Sequence, residues 1–171
     1  MIAGHGPNIG HGFNKYVVID QDGTELQPII FPCLTPVPSS LNTFTLGTAQ
    51  PLRMIRARLS AAFERELTLY ETDQAVRTGA LSVAGQLRSL PNNWDQPLHE
   101  NGEAVATRLV EEWGRGTQFD IILIGGGGAE EKRLVQAIKQ RFAHAVTVER
   151  PQTAIARGYA KLARRLGKGR P

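Results

Sequence analysis

The sequence predicts an α/β protein in which a β-hairpin comes first, amphipathic helices follow, and a β-α-β-α unit closes the chain. Residues 13–20 and 25–34 are apolar runs separated by the turn signal "QDG", a pattern typical of a hairpin. Residues 51–114 carry apolar side chains at spacings of three and four, as helices do. Residues 119–166 alternate apolar runs with amphipathic ones, which indicates strands joined by helices.

The hairpin is predicted from "FNKYVVID" and "ELQPIIFPCL". Pro28 and Pro32 keep the second strand at an edge or end it, since proline cannot donate to a ladder. Residues 35–50 are rich in proline, glycine and hydroxyl residues, and they predict a loop with at most a short strand near "TFTL".

Three helices are predicted in the middle of the chain. Pro51 suits the first turn of the first helix, whose apolar stripe is Leu52, Ile55, Leu59, Phe63 and Leu67. The second helix begins at Thr72 or Asp73 and carries "QAVRTGALSVAG". After a polar loop at 91–101, a third helix covers about 102–114, with Gly114 and Gly116 ending it.

The closing unit begins with "FDIILI", a continuous apolar strand of the kind buried on both faces of a sheet. Leu134, Ile138 and Phe142 then mark a helix, "AVTVE" marks a second strand, and Pro151 opens a last helix. This succession predicts a parallel strand pair with a right-handed crossover.

Four consecutive glycines lie between the first of these strands and its helix. Ligands of open α/β sheets bind outside the carboxyl ends of the strands, and glycines let a ligand approach the backbone closely. The same glycines would also suit a tight turn with close packing. The candidate residues at this corner are Gly125, Gly126, Gly127, Gly128 and Ala129.

A dinucleotide is one ligand to consider at this corner. Gly125 and Gly127 fit the fingerprint G-x-G-x-x-G/A, and Glu149 ends the next strand, where an acidic residue is required. Glu130, or Glu131 in the alternative register, occupies the third small position, where it would crowd the helix–strand contact and repel a pyrophosphate. The fingerprint is therefore incomplete.

A second glycine-rich corner is "NIGHGFNKYV" at 8–17. A hairpin turn that carries small residues, an amide and a lysine can wrap phosphate groups. The candidate residues here are Gly10, Gly12, Asn14 and Lys15.

Together, the two corners resemble those of the actin-like ATPase superfamily, in particular the plasmid-segregation proteins of the ParM/StbA type. The first phosphate loop of that family reads approximately D-x-G-x-G-N-x-K and is followed by "FPS"; this chain has "NIGHGFNKYV" and "IIFPC". The family's second half carries "GGGA", a helix, a short strand, a proline and "A-x-A-x-G-x". The matching strings here are "IILIGGGGAEEKRL", "AVTVERP" and "TAIARGYAKLA", so the resemblance covers about 7–34 and 45–166.

The resemblance implies an actin-like (ribonuclease H-like) second domain at 41–166, after a phosphate-loop-like hairpin at 1–40 and before a basic tail at 167–171. It implies that residues 125–129 line the adenosine of ATP and that Gly10, Gly12, Asn14 and Lys15 approach its phosphates. By the same resemblance the protein would bind ATP with Mg, form filaments and act in cytoplasmic DNA partitioning. Its partners would be further copies or a longer actin-like protein, with a DNA-binding adaptor.

This chain also departs from the family pattern. A complete actin-like ATPase is roughly twice as long, and one of its two phosphate hairpins has no counterpart here. The glycine motif and "FPC" favour the first hairpin, whereas the spacing to "SSLNTFTLG" suits the second. Asn8 replaces the aspartate that helps to place Mg²⁺, and an amide lacks its negative charge.

The sequence therefore assigns no catalytic residue and leaves ATP hydrolysis open. One alternative is a non-enzymatic interaction module that co-assembles with a longer actin-like partner. A further alternative is a dinucleotide-binding α/β domain.

Composition limits the remaining function classes. With 41% hydrophobic and 21% charged residues, the chain is typical of a soluble globular protein. No apolar run approaches the roughly 20 residues that cross a bilayer, and "MIAGHGPNIGHG" lacks the pattern of a signal peptide. Cys33 is the only cysteine, which excludes an internal disulfide.

The net charge of +4 and the basic tail are interpreted as solvated surface, so we expect no direct nucleic-acid binding. His5 and His11 are interpreted as parts of a disordered glycine-rich terminus, so no metal site is predicted.

Overall fold

The computed structural model describes residues 3–9, 14–21, 34–36, 42–117, 119 and 121–168. The strands are β1 (Ala3–Ile9), β2 (Asn14–Gln21), β3 (Leu34–Pro36), β4 (Asn42–Phe44), β5 (Ala80–Val83), β6 (Gln86–Ser89), β7 (Ile121–Ile124) and β8 (Ala145–Thr147). The helices are α1 (Ala49–Ala62), α2 (Leu69–Thr78), α3 (Gln96–Trp113), α4 (Lys132–Arg141) and α5 (Ala154–Lys168). Two 3-10 turns, Gly127–Glu130 and Pro151–Thr153, follow β7 and β8.

Six strands form one mixed sheet in the order β3-β2-β1-β7-β8, with β4 also paired to β2. β1 runs antiparallel to β2 and parallel to β7, with His5 opposite Ile122. β8 runs parallel to β7, with Ala145 opposite Ile122. The mixed α/β class and the parallel pair predicted for the closing unit are therefore confirmed.

The N-terminal residues form a strand near the middle of the sheet. The expectation that His5 lies in a disordered terminus is wrong, because His5 pairs with Val18 on one side and Ile122 on the other. Pairing on both sides compensates for the low strand propensity of glycine. Of the predicted strand at 25–34, only Leu34 is described; it pairs with Gln21 of β2.

The first hydrophobic core lies between the sheet and helices α3 and α4. Its buried members are Val105, Leu109, Trp113, Phe119, Ile122, Ile124, Ala129, Leu134, Ile138, Phe142 and Ala145. The Trp113 ring meets Phe119 and Phe142 edge-on, at centroid distances of 5.6 and 5.8 Å. Gly116 has φ +65°, and a Cβ there would lie 2.9 Å from the Phe142 ring, so glycine is required on both counts.

The second core lies among α1, α2, β5 and the start of α3. Its buried members are Ile55, Leu59, Leu67, Ala75, Leu81 and Leu98. The predicted stripe of α1 is confirmed for Ile55 and Leu59, both fully buried. Leu67 belongs to the same core although α1 ends at Ala62.

The second helix begins and ends earlier than predicted. α2 begins after Thr68, whose hydroxyl accepts from Glu71 N–H, and it ends at Gly79, which is left-handed. The prediction that "ALSVAG" is helical is wrong, because those residues enter a β5–β6 hairpin that turns at Ala84 and Gly85, both at positive φ. The Glu71 carboxylate accepts hydrogen bonds from the Thr68 backbone N–H and from the Arg65 side chain. These bonds, that of Thr68 first, lower the pKa of Glu71 to about 2.

The third helix begins earlier than predicted. Gln96 to Asn101 are helical rather than loop, and Pro97 occupies the first turn, where its missing N–H costs nothing. A Cβ at Gly102 would lie 3.1 Å from the Leu134 Cα, so glycine allows α3 and α4 to cross closely. Within the described part of the chain, no helix is long and apolar enough to cross a membrane.

Candidate functional site

The glycine turn, residues 125–130, follows β7 at one edge of the main sheet. β1 and β7 are parallel neighbours, so their carboxyl ends point to the same edge. β1 leads towards the β1–β2 connection, β7 leads into Gly125, and β1 contacts the turn at Gly127–Glu130. In an open α/β sheet this edge is where ligands bind.

The predicted residues of the first corner are only partly described. Asn14 begins β2 opposite Ile9, and Lys15 is paired with Asn8 of β1. Gly10 and Gly12 lie outside the described residues. The backbone thus places Asn14 and Lys15 beside the end of β1.

Gly126 is required by the backbone of the glycine turn. Its φ of +92° with ψ of 168° lies in a region that is open almost only to glycine. Its N–H donates to the Pro151 carbonyl at 2.8 Å, and its own carbonyl accepts from the Ala129 N–H at 3.0 Å. These bonds join the turn to the segment that leads into α5.

Gly127 has no comparable structural constraint. It is partly exposed, its φ lies outside the left-handed range, and an added Cβ would make only ordinary contact, 3.9 Å from Gln152 Cγ. The first N–H groups of such a turn have no partner within it. Gly127 is therefore the position where the absent side chain leaves room for a ligand against the backbone.

The start of α4 is already occupied by a carboxylate. Glu131 caps the helix, and its side chain accepts from the Arg133 N–H at 3.1 Å and from Arg133 Nη1 at 2.8 Å. An anion approaching this helix end would meet a like charge, so the phosphate-binding role that a free helix N-terminus allows is less favourable here.

Glu130 points away from the sheet contact. The expectation that it crowds the helix–strand packing is wrong, because it is exposed and pairs with Arg77 of α2, Nη1 to Oε2 at 3.2 Å. Arg77 donates one hydrogen bond to Asp73 and another to Glu130, and these bonds, the one to Asp73 first, raise its pKa. This pair connects α2 to the glycine turn across 53 residues, and no local sequence pattern predicts it.

Arg133 holds the start of α4 against the segment that precedes α3. Its Nε donates to Asp95 Oδ2 at 2.8 Å, and its guanidinium lies 4.9 Å from the centroid of the Trp94 ring. Burial alone would raise the pKa of Asp95, but the bond and charge of Arg133 outweigh it and lower that pKa below 3.8. The network thus fixes the helix that follows the glycine turn.

We expect Arg133→Gln to lower the free energy of unfolding by about 1–3 kcal/mol near neutral pH, the usual value of charge-assisted bonds. Because the pKa of Asp95 is lowered in the fold, the stabilisation is complete above 3.8 and is lost as the pH falls below it. Urea unfolding of both proteins at neutral and acidic pH measures the difference.

The control for this prediction is Arg150→Gln. Arg150 and Glu149 are both largely exposed and 3.9 Å apart, so this change should stay within about 0.5 kcal/mol. A difference between Arg133→Gln and the original chain that stays constant as the pH falls would contradict a role for the Asp95 charge.

An open cleft of about 460 Å³ lies beside the turn, along the outer face of α4. Its lining residues are Ala129, Glu130, Lys132, Val135, Gln136, Lys139, Gln140 and Thr147. Of the predicted site residues, only Ala129 lines it, so the cleft adjoins the glycine turn rather than enclosing it. In the parts of the chain that the structure describes, no three His, Cys, Asp or Glu side chains are grouped to hold a metal ion.

No protein-family model matches this sequence, and the comparison with curated proteins gives no match either. Solved structures do match. A ParM filament from Clostridium botulinum superposes with TM-score 0.77 and 15% identity, over 96% of this chain and 46% of that one. An archaeal actin homolog in complex with ADP gives TM-score 0.74 and 12% identity, over 95% and 50%.

A third similar structure is ParM from Bacillus thuringiensis with ATP, with TM-score 0.61 and 12% identity, over 97% of this chain and 48% of that one. This chain therefore spans about half the length of the structures that it resembles. At these identities the likeness concerns the course of the backbone, since few side chains are shared.

Proposed function

Because the chain has the actin-like fold, we propose that it binds an adenine nucleotide at the carboxyl edge of its main sheet. The observation that carries the proposal is the space at Gly127. This residue belongs to a turn that contacts β1, the parallel neighbour of β7. Residues 125–129 would line the adenosine. Gly10, Gly12, Asn14 and Lys15 would approach the phosphates.

The place of the β1–β2 hairpin in the main sheet indicates which of the family's two phosphate hairpins it resembles. It belongs to the same sheet as β7 and β8, which carry the glycine turn between them. We infer that it corresponds to the second hairpin, the one that precedes a serine-rich link and a helix. The first hairpin, and with it the other wall of a nucleotide cleft, has no counterpart among the described residues.

This assignment favours binding without hydrolysis by this chain alone. Phosphoryl transfer depends on positioned groups and neutralised charge, and position 8 holds an amide instead of a carboxylate. Mg²⁺ would be held chiefly by the phosphates and water, as it commonly is. Filament formation and DNA partitioning, with an adaptor protein, belong to the proposal by resemblance alone.

The test is calorimetric titration of Mg-ATP, Mg-ADP and adenosine into the purified chain. We expect saturable binding of all three, with adenosine binding through the glycine turn. Gly127→Ala should weaken each of them roughly tenfold, or about 1.4 kcal/mol, because its methyl group takes the space of the ligand. The melting temperature of the variant should stay close to that of the original chain, since the turn has room for a Cβ.

The absence of binding at millimolar nucleotide would remove the proposal. Equal affinity in Gly127→Ala, with nucleotide still bound, would move the site away from the turn. Each result contradicts a different part of the assignment.

The non-enzymatic interaction module is favoured by one observation. All four residues of β6 are exposed, and the Leu87 side chain is 76% exposed on this two-stranded hairpin. Such a strand edge can add a strand from a partner. Sedimentation with and without ATP separates the two functions, because a module of this kind would assemble equally well in both conditions.

A further inference from the structure

Charge is unevenly distributed over two helices that pack against the second core. α1 contains Arg53, Arg56 and Arg58 and no acidic residue. α3 contains four glutamates and one arginine, so its charge is −3 with histidine neutral. The buried side of α1 faces the second core through Leu59, and most of α3 faces the first core through Val105 and Leu109. The opposite sides of both helices are presented to solvent.

The basic face of α1 consists of Arg53, Met54, Ala57 and Arg58, which lie together at spacings of one, three and four. Met54 is 41% exposed, which is high for a large apolar side chain. Arg53 makes no ion pair within the described part of the chain, and Arg58 donates only to the Asn93 carbonyl and the Gln96 amide oxygen, each at 3.3 Å.

The acidic face of α3 consists of Glu103, Thr107, Val110 and Glu111, again at spacings of one, three and four. Val110 is 38% exposed. Glu103 pairs with Arg141 at 3.2 Å, and Glu111 pairs with Arg108 at 2.6 Å. These pairs are solvent-exposed, so each contributes little and can exchange partners when another cation approaches.

We propose that the basic face of α1 binds the acidic face of α3 on a second copy of this chain. The inference deepens the self-association in the proposed function and rests on it. Each face has an exposed apolar side chain beside two charged side chains of one sign, arginines on α1 and glutamates on α3, although the glutamates are paired with arginines of their own chain. An apolar centre with a polar rim is the usual arrangement of a protein interface. The charges are opposite, so the two faces attract each other, whereas each face would repel its own kind.

Charge reversal provides the test. One variant carries Arg53→Glu and Arg58→Glu; the other carries Glu103→Arg and Glu111→Arg. Sedimentation velocity should show concentration-dependent association of the original chain at about 0.05 M salt and less at about 0.5 M, since salt screens exposed charges. Each variant alone should associate at least tenfold more weakly, because both of its faces then have the same sign.

The decisive measurement is the equimolar mixture of the two variants. Every face then meets an opposite charge on the other variant, so association should return to within about threefold of the original. Failure of the mixture to associate, or undiminished association of either variant alone, would overturn the proposal. So would an original chain that stays monomeric at every concentration.

Two controls keep the outcomes separate. Arg164→Glu changes an exposed arginine on α5, outside both faces and outside β6, and should leave association unchanged. Melting curves and Mg-ATP titration of both reversed variants should match those of the original chain. Absence of nucleotide binding in the original chain would count against the proposed nucleotide site only. The mixing experiment would still decide whether the two faces bind each other.

Discussion

Replacing Phe142 by alanine is expected to remove about 3–5 kcal/mol from the free energy of unfolding, the range found for buried aromatic residues. Phe142 is fully buried, meets Trp113 edge-on, and fills the space that Gly116 leaves open. The neighbouring side chains belong to a sheet and two helices, so they cannot collapse far into the cavity. Urea unfolding of both proteins measures the loss.

The matched control is Tyr70→Ala. Tyr70 is an aromatic residue of α2 and is 73% exposed, so its removal should cost no more than about 0.5 kcal/mol. A loss below about 1.5 kcal/mol in Phe142→Ala would mean that the first core repacks around the cavity. Phe142→Leu should fall between the two, because leucine restores part of the buried volume.

Replacing Gly126 by alanine is expected to affect both stability and ligand binding. The backbone at φ +92° and ψ 168° excludes a side chain, so the strain should be about 1–3 kcal/mol. The turn can relieve the strain only by rotating, which would break the 2.8 Å bond to Pro151 and displace Gly127. We expect a lower melting temperature together with at least tenfold weaker nucleotide binding.

Gly79→Ala is the matched control for Gly126→Ala. Gly79 also has positive φ, +71°, with open space around its Cβ position, but it ends α2 and has no part in the turn. It should lower stability by about 1 kcal/mol while nucleotide affinity stays the same. Equal affinity in both variants would show that the conformation of Gly126 is immaterial to the ligand.

Much of the closing unit is predictable because its signals are local. Ile122 and Ile124 belong to a strand buried within the sheet, and such strands are continuously apolar. The helix after the turn follows from Leu134 and Ile138, which repeat at the helical period and are fully buried. Here local preference and tertiary packing favour the same structure.

The prediction was less accurate where a single backbone angle determines the structure. From the sequence alone, Gly79 could lie within a helix. In the structure its backbone is in the left-handed conformation, and α2 ends there. The next turn places Ala84 at φ +49°. Positive φ is uncommon for alanine, so this turn could not be predicted from the residue type. Pro97 is predicted to lie in a loop, although proline is equally suited to the first helical turn, where the structure has it.

The polar contacts of the candidate site could not be found from the sequence. Arg133 meets Asp95 across 38 residues, and Arg77 meets Glu130 across 53. Charged residues of both signs are frequent, so their partners are decided by how the helices and the glycine turn pack together. The position of β1 beside β7 is equally unpredictable from local sequence, because strand order depends on the whole sheet.

The two cores also contain one tryptophan each. Trp113 is buried in the first core, and Trp94 packs at the border of the second, beneath the Arg133 guanidinium. These are the only two tryptophans in the sequence. Fluorescence of the single-tryptophan variants Trp94→Phe and Trp113→Phe would therefore follow each core separately during denaturation, and coincident curves would identify a single cooperative unit.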